Sequence, residues 1–197
     1  MQIARAFRLA RDSVVVACLV LSFCPMSAAA DETRAVAARI DSLRAELLSG
    51  GSATDVLASH CAALGSVMPA VIRAERVRAT DKHADARTRK LLAARADEQV
   101  LYRHVRLTCG THILSEADNW YVPDRLTADM NKTLTETDTP FGTVVRPLAF
   151  HRKTLEATRL PSRSPAALRV RALLITGSGI PFSLVVEDYS RELVDAK

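Results

Sequence analysis

Apolar residues recur at intervals of three and four along the stretch 31–49, which is the period of an amphipathic helix. The apolar positions are Val36, Ile40, Leu43, Leu47 and Leu48. Gly50 and Gly51 follow and are predicted to end this helix. Ser52 and Thr54 are favourable N-cap residues, and they stand before the second helical stretch, DVLASHCAAL. The pattern therefore predicts two consecutive helices at this end of the chain.

Strand signals follow these helices. The stretch AVIRAERVRA is predicted to be a strand, and the polar stretch TDKHADARTRKLLAARADE an exposed excursion with a short helix around Arg87–Ala94. Strand signals resume in QVLYRHVRLTC and HILSEADNWYV, which flank a turn at Gly110. Two strands separated by such a turn predict an antiparallel hairpin.

Short helices and strands follow one another irregularly in the rest of the chain. Thr127 is predicted to cap the helix ADMNKTL, and Pro140 to begin a helical turn, PFGTVV. LAFHRKTLEATRL is strand-like, while LRVRALLIT and PFSLVVEDY flank the turn GSG as a final hairpin. Because helices and strands do not alternate regularly, a parallel βαβ sheet is not indicated. The predicted fold class is α+β with an antiparallel sheet.

The first thirty residues differ from the rest of the chain. Arginines precede the apolar run SVVVACLVLSF, and small residues stand at Ala28 and Ala30, directly before Asp31. This combination is typical of a cleavable secretory signal peptide. An uncleaved membrane anchor is the alternative, but the run is shorter than the roughly 20 residues that a spanning helix needs. We expect a signal peptide at 1–30, a single domain at 31–197, a periplasmic or secreted location, and no stable membrane insertion after cleavage.

Charge and composition argue against one class of partner. The sequence has 27 lysine and arginine residues and 22 aspartate and glutamate residues. Removal of the predicted signal peptide leaves 24 basic and 21 acidic residues, a net charge of +3. With no dense basic block and only 5% aromatic residues, nucleic acid is not an expected partner. A monomer is expected.

Cysteine and histidine usage gives no indication of a metal site. Cys18 and Cys24 leave with the predicted signal peptide, so Cys61 and Cys109 are the cysteines of the mature domain. An exported pair can form a disulfide, but both positions suit buried free thiols equally, and free thiols are the interpretation that we favour. Two cysteines offer no metal-site spacing, and the histidines show no H-x-x-x-H or H-x-H pattern. No metal is predicted.

The stretch YRHVRL places a cation within an apolar stripe. In a strand, Arg103 shares one face with Leu101, Val105 and Leu107. If that face lines the core, the guanidinium is desolvated and needs an anion nearby. The anion is either a carboxylate of the protein, which periodicity alone favours, or a ligand.

The last strand contains the complementary feature, a carboxylate at the end of an apolar run. Ser183, Val185, Glu187 and Tyr189 share one of its faces. Burial of Glu187 would favour the protonated acid and make it a candidate proton donor. Two other roles are open for this residue: an ion pair with Arg103, or a position on a solvent-facing side of the strand.

Two loop-to-helix junctions add backbone donors. Residues 52–54, SAT, and residues 139–142, TPFG, each open a helical turn. The free N–H groups at such starts favour carboxylate or phenolate oxygens. Junctions of this kind occur in every helical protein, so neither is informative alone.

Together these stretches resemble the chorismate lyase family, whose members split chorismate into 4-hydroxybenzoate and pyruvate at the start of ubiquinone biosynthesis. GSATDVL is similar to the family's helix start, usually Ser-Met-Thr, and LYRHVRL to its arginine strand. NWYVP resembles its Val-Val-Pro strand end, TDTPFG its Thr-Pro-Leu-Gly turn, and GIPFSLVVEDY its closing strand. The motifs occur in the family's order. The resemblance implies an antiparallel sheet of about six strands with helices over an enclosed ligand cavity.

The resemblance also implies roles for individual residues. Arg103 would bind the ring carboxylate of chorismate or 4-hydroxybenzoate, assisted by the amide of Ala53. Glu187 and the amide of Phe141 would meet the 4-oxygen, with Glu187 as the acid that assists departure of the enolpyruvyl group. Glu187 and Arg103 are thus the expected catalytic residues. No cofactor is implied, because aromatisation of the ring drives the reaction.

Two features depart from the family pattern. Ala53 stands where the family usually has Met, which removes side-chain packing over the ring, and EADNWYVP is not the usual strand sequence. Export also separates the protein from chorismate, a cytoplasmic metabolite. The prediction is a chorismate lyase-like enzyme acting on chorismate or a related aromatic or enolpyruvyl acid. The alternative is an exported aromatic-acid-binding protein that uses the same pocket without turnover.

Overall fold

The structure, a computed structural model, describes residues 26–49, 51–64, 71–78 and 81–195. Residues 1–25 of the predicted signal peptide and the predicted helix stop Gly50 lie outside this part of the chain. The two predicted N-terminal helices are confirmed as α1 (Met26–Leu48) and α2 (Ala53–Ala63). Among the helices of the described residues, we find none with the length and apolar content needed to cross a bilayer.

One antiparallel sheet of six strands forms the centre of the fold. Its strands are β1 (Ile72–Arg76), β2 (Leu101–Cys109), β3 (His112–Tyr121), β4 (His151–Arg159), β5 (Ala166–Ile175) and β6 (Pro181–Ser190). Their order across the sheet is β1-β2-β3-β6-β5-β4. The shorter helices are α3 (Ala86–Leu91), α4 (Ala128–Glu136), α5 (Phe141–Val144) and α6 (Glu192–Asp195). The predicted α+β class and both predicted hairpins are confirmed.

Local sequence signals explain where several helices begin. The Thr127 hydroxyl accepts a hydrogen bond from the Met130 amide at 3.2 Å, as predicted for the cap of α4. Ser52 holds the N-cap position of α2, but its side chain makes no capping hydrogen bond. Its buried hydroxyl oxygen has no hydrogen-bond partner among the described residues. The side chain that the sequence assigned to capping is therefore left available for another role.

Two apolar clusters lie side by side on one face of the sheet. The first joins α1 and α2 to the strands, and the second joins α4 and α5 to the same face. On β2, Arg103 lies between Leu101, which packs on the second cluster, and Val105, which belongs to the first. On β6, Glu187 lies in the same way between residues of the two clusters. Charged side chains thus occupy the boundary between the clusters.

A disulfide joins Cys61 of α2 to Cys109 at the end of β2, with 5.8 Å between the Cα atoms. Our preference for free thiols was therefore wrong. The two cysteines are 48 residues apart, and only the packing of α2 against the sheet brings them into bonding distance. Both are buried in the first cluster, as the sequence suggested, but burial alone does not distinguish a thiol from a disulfide.

Candidate functional site

A cavity of about 50 Å³ lies at the boundary between the two apolar clusters. The starts of α2 and α5 form one side of its wall, and the inner face of the sheet forms the other. The residues singled out from the sequence all line it: Arg103, Glu187, Ala53 and Phe141. They come from β2, β6, α2 and α5, so the tertiary fold brings together residues that are distant in the sequence.

Arg103 is a buried cation that forms no ion pair with a carboxylate in the part of the chain that the structure describes. Its side chain is among the largest fully buried ones, and the residue is 2% exposed. Its Nη2 donates a long hydrogen bond to the Thr139 carbonyl oxygen at 3.4 Å. Its Nε has no acceptor among the described residues. Burial, and then the nearby charge of Arg76, lowers the pKa of Arg103 to about 10, so it is still charged at neutral pH. The charge of Arg103 is therefore not compensated by an ion pair with Glu187.

Glu187 is 6% exposed, which excludes the solvent-facing position. Its carboxylate accepts hydrogen bonds from both terminal nitrogens of Arg152, with Nη1 at 3.3 Å from Oε1. The Tyr189 hydroxyl donates a further bond to Oε2 at 3.0 Å. Both carboxylate oxygens are therefore already engaged as hydrogen-bond acceptors. The geometry therefore gives less support to Glu187 as a proton donor than the sequence suggested.

Arg152 of β4 is the cavity residue that sequence reasoning missed. Its side chain is 4% exposed. Burial alone would lower the pKa of Arg152, but the adjacent Glu187 and Tyr189 raise it above its ordinary value, so Arg152 is charged. The strand HRKTLEATR shows no apolar stripe that would have indicated a buried arginine. The one available signal was the buried Glu187, which required a cation from somewhere in the fold.

The starts of α2 and α5 meet directly over the cavity. Ala53 and Phe141 are both buried, and each is the first residue of its helix, where the N–H group has no intrahelical acceptor. Gly142 allows the close approach, because a Cβ at this position would lie 3.1 Å from both Ser52 Oγ and Thr54 Oγ1. This arrangement is thus compatible with the expectation that the backbone amides of Ala53 and Phe141 donate to ligand oxygens at this wall.

Substitution of Gly142 by alanine tests this close approach. The added methyl group would crowd the hydroxyl oxygens of Ser52 and Thr54, which must move by a few tenths of an ångström, so we expect a loss of up to about 1 kcal/mol, or a melting temperature lower by up to about 2–4 °C. Gly51→Ala is the matched control, because a Cβ at Gly51 meets no atom within 4 Å. Thermal unfolding of the two variants decides the point. A Gly142→Ala protein as stable as the Gly51→Ala protein would show that the helix starts are not in tight contact.

The cavity is smaller than an aromatic ring requires. An engineered cavity of roughly 150 Å³ binds benzene in another protein, whereas about 50 Å³ accommodates only one or a few waters. Ser52, Gly142 and Phe150 line both this cavity and an outer groove of about 280 Å³. They form the wall between cavity and surface, and an aromatic ligand therefore requires this wall to move.

Among the described residues, no group of three or more histidine, cysteine, aspartate or glutamate side chains is arranged to hold a metal ion. The charged groups at the cavity are two guanidinium groups and one carboxylate, and the uncharged polar side chains of Ser52, Thr54 and Asn119 also line it.

Comparison with known proteins identifies a relative by sequence and a similar fold by structure. No protein-family model matches the chain. The uncharacterized protein y4mC of Sinorhizobium fredii is 43% identical over 178 residues, which cover 79% of this chain and 75% of y4mC. Identity at this level over most of both chains reflects common family membership.

The solved structures that resemble this chain share only its fold. The crystal structure of PhnF from Mycobacterium smegmatis has a TM-score of 0.53 and 13% sequence identity, covering 75% of this chain and 67% of PhnF. The separately solved effector domain of PhnF has a TM-score of 0.49 at 14% identity, covering 71% of this chain and 88% of the domain. The six-stranded antiparallel sheet and the likeness to PhnF confirm the α+β fold predicted from the sequence.

Proposed function

This chain belongs to the same family as the y4mC protein of Sinorhizobium fredii, and we propose that it binds a small aromatic carboxylate in the cavity between its two apolar clusters. The observation that carries the proposal is Arg103. A buried cation without a counter-ion costs several kcal/mol, and a ligand carboxylate that accepts its free N–H groups would offset that cost. Among the described residues, no carboxylate forms an ion pair with Arg103; Asp138 acts on it only from a distance and is paired with Arg73.

The walls of the cavity favour an aromatic acid over an aliphatic one. Phe141 packs against Tyr121 at a ring-centroid distance of 5.5 Å and stacks on Phe182 at 6.2 Å. Phe150 meets Phe182 edge-on at 6.1 Å. Phe141 and Phe150 also line the cavity, so the aromatic ring of a ligand would pack against their flat apolar side chains.

A carbon–oxygen lyase acting on chorismate is the second candidate function. It is supported by the convergence of Arg103, Glu187 and the starts of α2 and α5 on one cavity. The contacts of Glu187 count against it, because a proton donor needs a free oxygen toward the ligand and both oxygens here accept hydrogen bonds from Arg152 or Tyr189. Binding without turnover is therefore the better-supported reading, and lyase activity stays a prediction.

One experiment separates the two functions. Purified protein is heated with a panel of benzoates and aliphatic acids, and is separately incubated with chorismate and assayed for 4-hydroxybenzoate and pyruvate. Binding at 100 times the dissociation constant adds about 2.7 kcal/mol, which raises the melting temperature of a protein of this size by about 5–10 °C. We expect this shift with aromatic acids and no pyruvate. Equimolar release of both products would establish the lyase, and the absence of any shift would refute the binding function.

Export is part of the same proposal. The disulfide between Cys61 and Cys109 supports it, since disulfides persist in oxidising compartments. We expect the intact mass of the protein, recovered from the periplasm or medium of a bacterial host, to correspond to a chain that begins at Asp31. A protein found only in the cytoplasm with its N-terminal segment uncut would contradict export.

A further inference from the structure

The charges around the cavity do not balance. Three charged side chains line it, namely Arg103, Arg152 and Glu187. Arg152 and Glu187 neutralise each other through two hydrogen bonds, while Arg103 has no carboxylate partner among the described residues. The described wall therefore carries a net charge of +1, and one negative charge on a ligand would neutralise it.

The two arginines reach the cavity from strands that lie on opposite sides of the central strand β6. Arg103 is on β2 and Arg152 on β4, and the strands β3, β6 and β5 lie between them. Four strand spacings of about 4.8 Å separate the two backbones by at most about 19 Å, and both side chains reach the cavity between them. An acid whose carboxylate meets Arg103 would therefore direct its other end toward Arg152.

Arg152 has an unused hydrogen-bond donor at that end of the cavity. Its terminal nitrogens are used by Glu187, but its buried Nε has no hydrogen-bond partner among the described residues. A buried N–H without an acceptor is destabilising, and a neutral oxygen on the ligand would satisfy it without adding charge. A second carboxylate on the ligand would instead be repelled by the negative charge of Glu187, which is hydrogen-bonded to the same guanidinium.

We infer that the cavity selects acids with a single negative charge and a neutral hydrogen-bond acceptor at the end remote from the carboxylate, with Arg152 and Glu187 setting this selectivity. The inference rests on the proposed function, and it makes dianions such as chorismate poor ligands. It assigns Arg152 a role that neither the sequence pattern nor the resemblance to the lyase family indicated.

Two matched pairs of ligands test the inference by calorimetry at pH 7. 4-Nitrobenzoate and terephthalate have the same shape but differ by one charge, and 4-hydroxybenzoate and 4-methylbenzoate are similar in size but only the first carries an acceptor. We expect terephthalate to bind at least about tenfold more weakly than 4-nitrobenzoate, which corresponds to about 1.4 kcal/mol. We expect 4-methylbenzoate to bind about tenfold more weakly than 4-hydroxybenzoate.

Two variants assign these ratios to the pair of residues. Glu187→Gln keeps the shape of the carboxylate but leaves a net charge of +2, so the penalty against terephthalate should shrink or reverse. The double variant Arg152→Met/Glu187→Gln removes the pair together, which avoids leaving one charge buried alone, and should equalise 4-hydroxybenzoate and 4-methylbenzoate. The readout is a ratio between two ligands, so a general loss of affinity does not imitate it.

The outcomes separate the inference from the proposed function. If none of the four acids binds the wild-type protein, the proposed function is refuted and the inference with it. If all four bind with similar dissociation constants, the binding function stands and the inference is overturned. Ratios that appear in the wild type but persist unchanged in the double variant would likewise overturn the assignment to Arg152 and Glu187.

Discussion

Replacement of Arg103 by methionine is expected to abolish the stabilisation of this protein by aromatic acids while leaving the free protein as stable as the wild type, or more stable. The two effects have opposite signs because Arg103 is a buried cation without a carboxylate partner among the described residues. Methionine keeps the length of the side chain and removes the desolvated charge, which favours the free protein. It also removes the group that would bind the ligand carboxylate.

The expected magnitude follows from the cost of breaking a buried charge pair. Loss of one partner costs about 3–5 kcal/mol, so the dissociation constant for benzoates should rise by a factor of roughly 10² to 10³ or more. The melting temperature shift of about 5–10 °C at saturating acid should disappear. Calorimetry and thermal unfolding on the same preparation measure both effects.

Arg106 provides the matched control on the same strand. It is an arginine of β2 whose side chain is exposed and pairs with Glu116 at 2.6 Å on the opposite face of the sheet. Arg106→Met should leave acid binding unchanged, because exposed ion pairs contribute little and this one is remote from the cavity. Wild-type affinity in the Arg103→Met protein would show that the buried guanidinium does not hold the ligand. A large loss of stability in its free form would show that Arg103 is a structural residue.

Removal of the disulfide is expected to have the largest effect on stability. The link closes a loop across 48 residues, and the loss of loop-closure entropy in the unfolded chain corresponds to about 4 kcal/mol. The double variant Cys61→Ala/Cys109→Ala should therefore melt about 8–16 °C below the wild type. Because α2 also contributes Ala53 to the cavity wall, loosening it should weaken acid binding as well.

Reduction of the wild-type protein provides the control for this prediction. A reductant should lower the melting temperature of the wild type toward that of the double variant and should not change the variant. Titration of thiols in the unreduced, denatured protein should find none from Cys61 or Cys109. Two free thiols per processed chain would show that the bond is not formed, and equal melting temperatures with and without reductant would show that it contributes no stability.

The sequence by itself determined the elements of this fold and one part of its candidate site, the buried Arg103. Apolar intervals of three and four defined α1, the N-cap candidates Ser52 and Thr54 indicated α2, strand signals defined the hairpins, and Thr127 marked the start of α4. These signals are local, since each depends on residues within one or two turns of a helix or along one strand. The burial of Arg103 was likewise predictable, because the period of a strand places it on the face of its apolar neighbours.

Only the tertiary structure decided which residues meet. The bond between Cys61 and Cys109, the pairing of Glu187 with Arg152, and the contact between the starts of α2 and α5 all join positions remote in the sequence. A buried charge shows that a partner is needed but not which residue supplies it. The fold supplied a partner for Glu187 and no carboxylate among the described residues for Arg103. That difference is the basis of the proposed ligand site, because an anion beside a desolvated cation offsets the cost of its burial.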